Sequence, residues 1–352
     1  MNILVTGGAG FIGSNFIKYM LSNYEYNIIN LDVLTYAGNL KNLEEISYKD
    51  NYYFIKGDIC DKRIVNDTFQ KFNIDVVVNF AAESHVDRSI DDSEIFLKTN
   101  VMGTQVLLDV AKDFWKIDTT NKYCFKFRKE VKFIQISTDE VYGTLGVDGY
   151  FTEKTPLMPN SPYAASKASA DLLVRAYYET YGFPMNITRC SNNYGPYQFP
   201  EKFIPLMINN TLENRPLPIY GDGKQVRDWI YVRDHCTAID TVLHKGEIGE
   251  VYNIGSNNEK ENTEIAKLIL SELGRDERLI KYVQDRLGHD RRYAIDNTKI
   301  TTELNWKPSC TFEEGIKDTI GWYINNTNWM DNIVNMEYIS YYEKMYSMKF
   351  KN

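Results

Sequence analysis

Residues 3–13 read I-L-V-T-G-G-A-G-F-I-G. The apolar run Ile3-Val5 leads through Thr6 into Gly7, Gly10 and Gly13, and from there into a helical pattern over Phe11 to Asn23. Such a segment must turn sharply, let backbone approach a pyrophosphate and pack a helix against a strand; glycine suits each task. The helix start offers free N–H groups and the positive end of a dipole to phosphate. Glycines alone would say little, but between a strand and a helix they point to a dinucleotide cradle.

Outward from this turn the alternation continues. Tyr26-Leu31, Tyr53-Lys56, Val76-Phe80 and Val131-Ser137 read as strands. They are nearly continuously apolar, as expected of strands covered on both faces. Helical patterns at Val65 to Phe72 and Asn100 to Trp115 fall between them. The expected fold class is α/β, a doubly wound parallel Rossmann sheet. Beyond about Tyr197, Pro200, Pro205, Pro216 and Pro218 break the rhythm. Trp229-Val232 and Val251-Ile254 read as further strands, Thr263 to Leu273 and Phe312 to Asn325 as helices. The expected division is 1–195 for the dinucleotide, with later segments returning to it, and 196–352 for a smaller, mixed substrate-binding region. Lys112 to Glu130 reads as a polar surface insertion, and the Tyr-, Met- and Asn-rich tail Asn326 to Asn352 as a packed terminal helix.

Composition narrows the function. The 352 residues carry 40 basic and 48 acidic side chains, a formal charge of −8, which argues against a nucleic-acid partner. At 43% apolar residues, wholesale disorder is excluded. Five scattered cysteines without a C-x-x-C fit a reducing compartment, and the four histidines lack metal-ligand spacing, so no metal is expected. No apolar run reaches the roughly 18 residues of a membrane span. The N-terminus lacks the basic region and cleavage site of a signal peptide, so a soluble cytoplasmic protein without a membrane partner is expected.

Nineteen residues past Gly13 stands Asp32, at the end of the second strand. A carboxylate there binds adenosine ribose hydroxyls and repels a 2′-phosphate, which favours NAD over NADP. Tyr163 and Lys167 form Y-x-x-x-K, with Ser161 and Pro162 suited to a helix cap and first turn. Four residues apart, both side chains share a helical face, and a lysine cation beside the phenol is expected to lower its pKa toward that of a base. With 26 tyrosines in the chain the pattern alone is weak. Thr138 closes a strand where its hydroxyl could meet the same substrate oxygen. Residues 137–143 then read S-T-D-E-V-Y-G. Neighbours in a regular strand point to opposite faces, so Asp139 and Glu140 reach one substrate only if the chain bends after Thr138. On spacing alone, a solvated acidic loop is an equal reading.

The glycine turn, Asp32, Gly57-Asp58-Ile59, Asn79-Phe80-Ala81-Ala82, Thr138 and Tyr163/Lys167 resemble the extended short-chain dehydrogenase/reductase superfamily. T-D-E-V-Y-G, A-A-E-S-H-V-D-R-S at 81–89, L-T-Y-A-G-N at 34–39, S-N-N-Y-G-P-Y-Q-F-P-E-K at 191–202 and G-H-D-R-R-Y at 288–293 are similar to the dTDP-glucose 4,6-dehydratase family, across nearly the whole chain. Leu287 stands where that family commonly has proline, and Val33 where lysine is common.

The resemblance implies an internal redox cycle. Tyr163, helped by Thr138 and Lys167, takes the proton of the sugar 4-hydroxyl as hydride leaves C4 for NAD. Glu140 removes the C5 proton, Asp139 protonates the departing C6 hydroxyl, and hydride returns to C6. This requires Asp139 protonated and Glu140 ionised at the start. By resemblance the cofactor meets Gly7, Gly10, Phe11, Ile12, Gly13, Asp32, Leu34, Thr35, Asp58, Ile59, Ala81, Ala82, Thr99, Tyr163, Lys167 and Asn193. Ser84, Thr138 and Asn192 would contact the sugar. Lys202, Phe203, Pro218, Tyr220, Arg227, Asn262, Asp285, Arg286 and His289 would line the nucleotide pocket, with Arg227, Arg286 and Lys202 for the diphosphate. Thymine rests on the resemblance, with UDP-glucose as rival. A homodimer through helices near Pro162-Tyr181 and Asn100-Trp115 is expected by the same analogy. A nucleotide-sugar 4-epimerase or decarboxylase would use Tyr163 and NAD without the acid pair. A silent NAD-dependent sensor would not need Thr138, Asp139, Glu140, Tyr163 and Lys167 together.

Overall fold

Seven strands, all parallel, lie in the order β10-β6-β5-β4-β1-β2-β3 in the computed structural model, which describes residues 1–118, 120–121, 125–333 and 336–346. They are β1 (Asn2–Thr6), β2 (Asn27–Asp32), β3 (Tyr52–Lys56), β4 (Val76–Asn79), β5 (Lys132–Thr138), β6 (Met185–Cys190) and β10 (Val251–Ile254). Side chains alternate between the faces. Ile3 and Val5 join one core with the helices Phe11–Asn23 and Val232–Lys245, while Leu4 joins another with Lys62–Phe72 and Thr104–Trp115. Covering both faces is what makes these strands apolar throughout. Strand order reverses between β1 and β4, the crevice where ligands bind in open parallel sheets.

A smaller part follows β6. It holds a mixed sheet, β11 (Glu259–Glu261), β9 (Val226–Tyr231) and β7 (Asn192–Tyr194), and a parallel pair, β12 (Ile280–Val283) with β8 (Leu217–Tyr220). The helices Phe203–Leu212, Asn262–Glu272, Phe312–Asn325 and Thr327–Ile333 enclose its separate core, which includes Tyr194, Trp229, Phe312 and Trp329.

Several expectations are corrected. The strand expected at Trp229-Val232 runs Val226–Tyr231, and Val232 opens a helix instead. The polar insertion begins later than Lys112: the helix continues to Trp115, whose indole is fully buried and donates to the Ile74 carbonyl. Cys124 lies outside the described residues. The tail holds two helices, Thr327–Ile333 and Met336–Tyr346, and its last six positions also lie outside them.

Candidate active site

A cleft of about 490 Å³ opens where β1 to β6 end. At β1 the glycine turn forms its floor. Gly7 has φ +67°, and a Cβ there would stand 2.7 Å from the Ala81 backbone. A Cβ on Gly13 would stand 2.5 Å from the Gly7 carbonyl oxygen. Larger residues would therefore fill the cradle. The helix behind it starts at Gly10 with no side-chain cap and no acidic residue in its first turn, so its amides are left for an anion. Asp32, at the end of β2, accepts from the Ala9 amide at 2.9 Å and the Leu34 amide at 2.8 Å. Its burial pushes the carboxyl pKa up while these two amides pull it down. The cradle and carboxylate fit a dinucleotide with free ribose hydroxyls.

At the other end of the cleft, β5 stops at Thr138 and the chain turns at once into a 3-10 segment, Asp139–Tyr142. Thr138 Oγ1 accepts from the Glu140 amide at 3.3 Å, capping this turn. Asp139 and Glu140 thus both line the cleft. Tyr163 and Lys167 face them from the helix Pro162–Tyr181, whose cap is Ser161 with Pro162 following. Lys167 Nζ donates to the Ile136 carbonyl at 2.6 Å.

The electrostatics separate the two acids. Burial raises the Asp139 pKa well above the ordinary carboxyl range, and the charges of Glu140 and Asp228 raise it further. One oxygen, Oδ2, is buried without a hydrogen-bond partner, as suits a protonated acid. Glu140 is also raised by burial, but Arg286, Arg227 and Lys202 pull it back. Both carboxyls are thus raised by burial, with three cations opposing it at Glu140. The expectation for Tyr163 is corrected: burial, then Glu140, raises its phenol pKa well above its ordinary value, and the hydrogen bond with Thr138 lowers it. Lys167 is itself lowered by burial, with Asp171 and Cys190 acting in the other direction.

Gly7, Gly10, Phe11, Ile12, Gly13, Asp32, Thr35, Asp58, Ile59, Ala81, Ala82 and Thr99 all line the cleft. Ser84, Thr138, Asn192, Asn193 and Lys202 line it with the acids. Leu34 does not line it; its amide holds Asp32 and its φ is +58°. The Asn193 amide is turned inward, with Oδ1 2.8 Å from His235 Nδ1. Phe203, Pro218, Tyr220, Arg227, Asn262, Asp285, Arg286 and His289 stand outside this lining. Among them, His289 contacts both Asp285 and Tyr220. His289 Nδ1 is 2.6 Å from Asp285 Oδ1, Tyr220 meets the His289 ring edge-on at 6.0 Å, and Arg227 lies 4.2 Å over the Tyr293 ring. Pro218 sits in β8, Asn262 opens the helix after β11, and the Phe203 ring lies 6.2 Å from Trp229.

The cleft also contains residues to which the sequence reading gave no role: Glu83, Cys190, Gln198, Phe199 and Glu201. Glu201 accepts from Arg88 Nε at 3.1 Å, and Lys202 Nζ donates to the Ser84 carbonyl at 2.7 Å. Glu83 and Glu201 lie inside the quoted stretches 81–89 and 191–202, where the letters alone gave no geometry. Among the described residues no group of three His, Cys, Asp or Glu could hold a metal ion.

Comparison with known proteins matches this arrangement. The family described as GDP-mannose 4,6 dehydratase matches residues 4–319. A dTDP-glucose 4,6-dehydratase of Xanthomonas campestris is 52% identical over 345 residues, 95% of this chain and 96% of that one. A crystal structure of dTDP-glucose 4,6-dehydratase from Bacillus anthracis, in complex with NAD, is 53% identical with a TM-score of 0.86, covering 95% of this chain and 99% of that one. A Streptomyces venezuelae dTDP-glucose 4,6-dehydratase with NAD bound is 45% identical with a TM-score of 0.88, covering 95% and 100%. Glycine cradle, paired acids and full-length similarity together place this chain in the dTDP-glucose 4,6-dehydratase family.

Proposed function

We propose that the protein is a hydro-lyase that converts dTDP-glucose to dTDP-4-dehydro-6-deoxy-glucose with NAD as resident cofactor. The observation that carries this reading is the turn after Thr138, which brings two buried acids, the second with three cations nearby, into the same cleft as Tyr163. A 4-epimerase has no use for that pair.

The cradle from Gly7 to Gly13, Asp32 and the neighbouring cleft residues would hold the cofactor. When bound, NAD supplies a hydride acceptor and, once reduced, a hydride donor. Tyr163 Oη takes the proton of the sugar 4-hydroxyl, with Thr138 Oγ1 as its hydrogen-bond partner. Burial opposes ionisation of Tyr163, so its action as a base relies on the Thr138 hydrogen bond and the Lys167 ammonium on the same helix, which a bound cofactor would reinforce. Glu140 removes the C5 proton, made acidic by the new 4-ketone. Asp139 delivers its proton to the C6 oxygen, which leaves as water. The C5 proton is restored at the end of the cycle. Lys202, Arg227 and Arg286 stand near Glu140, at the side where a diphosphate needs cations.

We assign residues 1–195, with the returning Val232–Lys245 helix and β10, to cofactor binding, and most of 196–352 to the nucleotide sugar. A homodimer is supported by exposed Met102 and Leu172 on the helical segments expected to pair. The free cysteines Cys60, Cys190, Cys236 and Cys310 suit the cytoplasm. Among the described residues no helix is long and apolar enough to cross a membrane. Incubation with dTDP-glucose, UDP-glucose and GDP-mannose, followed by mass spectrometry, tests the assignment. Loss of one water from dTDP-glucose is expected; an isomer of unchanged mass would overturn it.

A further inference from the structure

Thr138 caps the start of the acid turn, and its far end is held by residues not yet given roles. Tyr142 ends the 3-10 segment that carries Asp139 and Glu140. Its hydroxyl accepts from Arg189 Nη1 at 3.0 Å and donates to Asn253 Oδ1 at 2.7 Å. Its ring stacks on Phe151 at 5.0 Å, and the Asn253 amide donates to the Phe151 carbonyl at 3.0 Å. Arg189, on β6, donates through Nε to Asp171 Oδ2 at 2.9 Å. Both side chains of that ion pair are buried, 7% and 1% exposed, so neither is a solvated surface charge.

Asp171 lies eight residues beyond Tyr163 and four beyond Lys167, on the same face of one helix. Its charge acts on Lys167 as well as on Arg189. One continuous chain of contacts therefore runs from the Tyr163 helix through β6 to the turn bearing the acids. A buried ion pair of this kind adds little net stability, since desolvation offsets its attraction. It does fix geometry, because each hydrogen bond has one accepted direction.

We propose that Asp171, Arg189 and Tyr142 are positioning residues that hold the Asp139–Glu140 turn in register with the Tyr163 helix, so that elimination depends on them more than oxidation at C4 does. The inference rests on the dehydratase reading above. Oxidation uses Tyr163, on the helix itself, whereas elimination requires both acids to meet C5 and C6 of a sugar held by other elements. A displacement near 1 Å of a catalytic group costs on the order of a hundredfold in rate.

The test is Tyr142→Phe, which keeps the stacked ring and removes the hydroxyl. Dehydration of dTDP-glucose should slow about tenfold to a hundredfold in kcat. KM should stay within about twofold, since the substrate contacts are untouched. During turnover the absorbance of reduced nicotinamide should rise above that of the unsubstituted enzyme, because oxidation outruns elimination. Arg189→Lys keeps a charge against Asp171 but loses the bond to Tyr142, and should give the same signature if Tyr142→Phe proves too unstable to assay. Unchanged kcat, or a parallel loss of oxidation and elimination without reduced nicotinamide, overturns the proposal. If the unsubstituted protein fails to dehydrate dTDP-glucose, the functional reading itself has failed.

Discussion

Asp139 and Glu140 are chain neighbours whose surroundings pull them apart: Asp228 adds negative charge near the first, while Arg227, Arg286 and Lys202 favour ionisation of the second. Arg227 also acts on Asp139, so the split comes from the balance of groups. Both carboxyls are raised by burial, which moves their titration toward neutral pH.

The pH profile of kcat follows from this split. Activity should fall on the acid side as Glu140 takes up a proton, and on the alkaline side as Asp139 loses its own. Asp139→Asn should lower kcat by roughly 10²–10⁴-fold, the usual range for a lost proton donor. The alkaline limb should move or vanish in that variant. A profile across pH 5 to about 9 with both enzymes checks it.

Glu140→Gln should separate the two halves of the cycle. Oxidation at C4 persists because Tyr163 and Thr138 are intact, while proton removal at C5 stalls. Stopped-flow absorbance of the reduced cofactor should rise and remain, with product formation down by about 10²-fold or more. Tyr163→Phe should instead prevent the rise altogether.

Gly13→Ala should lower cofactor content. The new methyl would approach the Gly7 carbonyl to 2.5 Å, and backbone on both sides must then shift. Protein purified from this variant should carry less NAD than the parent by mass analysis of the released nucleotide. A melting midpoint that recovers on adding excess NAD would locate the damage at the cradle rather than the core.

A pH-dependent contribution to stability sits away from the cleft. Tyr19 and Tyr24 both donate to Asp240 Oδ2 at 2.9 Å, and His244 Nδ1 lies 2.8 Å from Asp240 Oδ1. The hydrogen bond with Asp240 raises the His244 pKa. The folded protein therefore holds this proton more tightly than the unfolded chain. The stabilisation is full below the ordinary histidine pKa and is lost as pH rises through the raised value. His244→Ala should flatten that part of the curve of melting midpoint against pH, between about pH 6 and 8.

Much of the fold and site was legible because local rules and global packing agree there. The glycine turn is one case, and Asp32 at a strand end is another. The bend after Thr138 was the condition that sequence spacing left open, and the 3-10 segment meets it. β6 was missed because it reads M-N-I-T-R-C. Asn186, Thr188 and Arg189 are buried in it, and Asn186 and Arg189 find partners in Glu247 and Asp171 from distant segments. The Val232–Lys245 helix was hidden for the same reason: Asp234, His235 and Asp240 are buried on it, with Asp234 accepting from Ser309 and Cys310. Pro205 looked like a break, yet it occupies the first turn of Phe203–Leu212, where the missing N–H costs nothing. The Tyr163 pKa was misjudged because a spacing of four shows a shared face but not where the lysine ammonium goes; it goes to the Ile136 carbonyl.

The most direct measurement uses dTDP-glucose deuterated at C4 of the sugar. If one bound cofactor moves hydrogen within one sugar, the label should appear on C6 of the 4-keto-6-deoxy product, with solvent hydrogen at C5. Label retained at C4 of a galactose nucleotide, or washed out into water, would contradict the account.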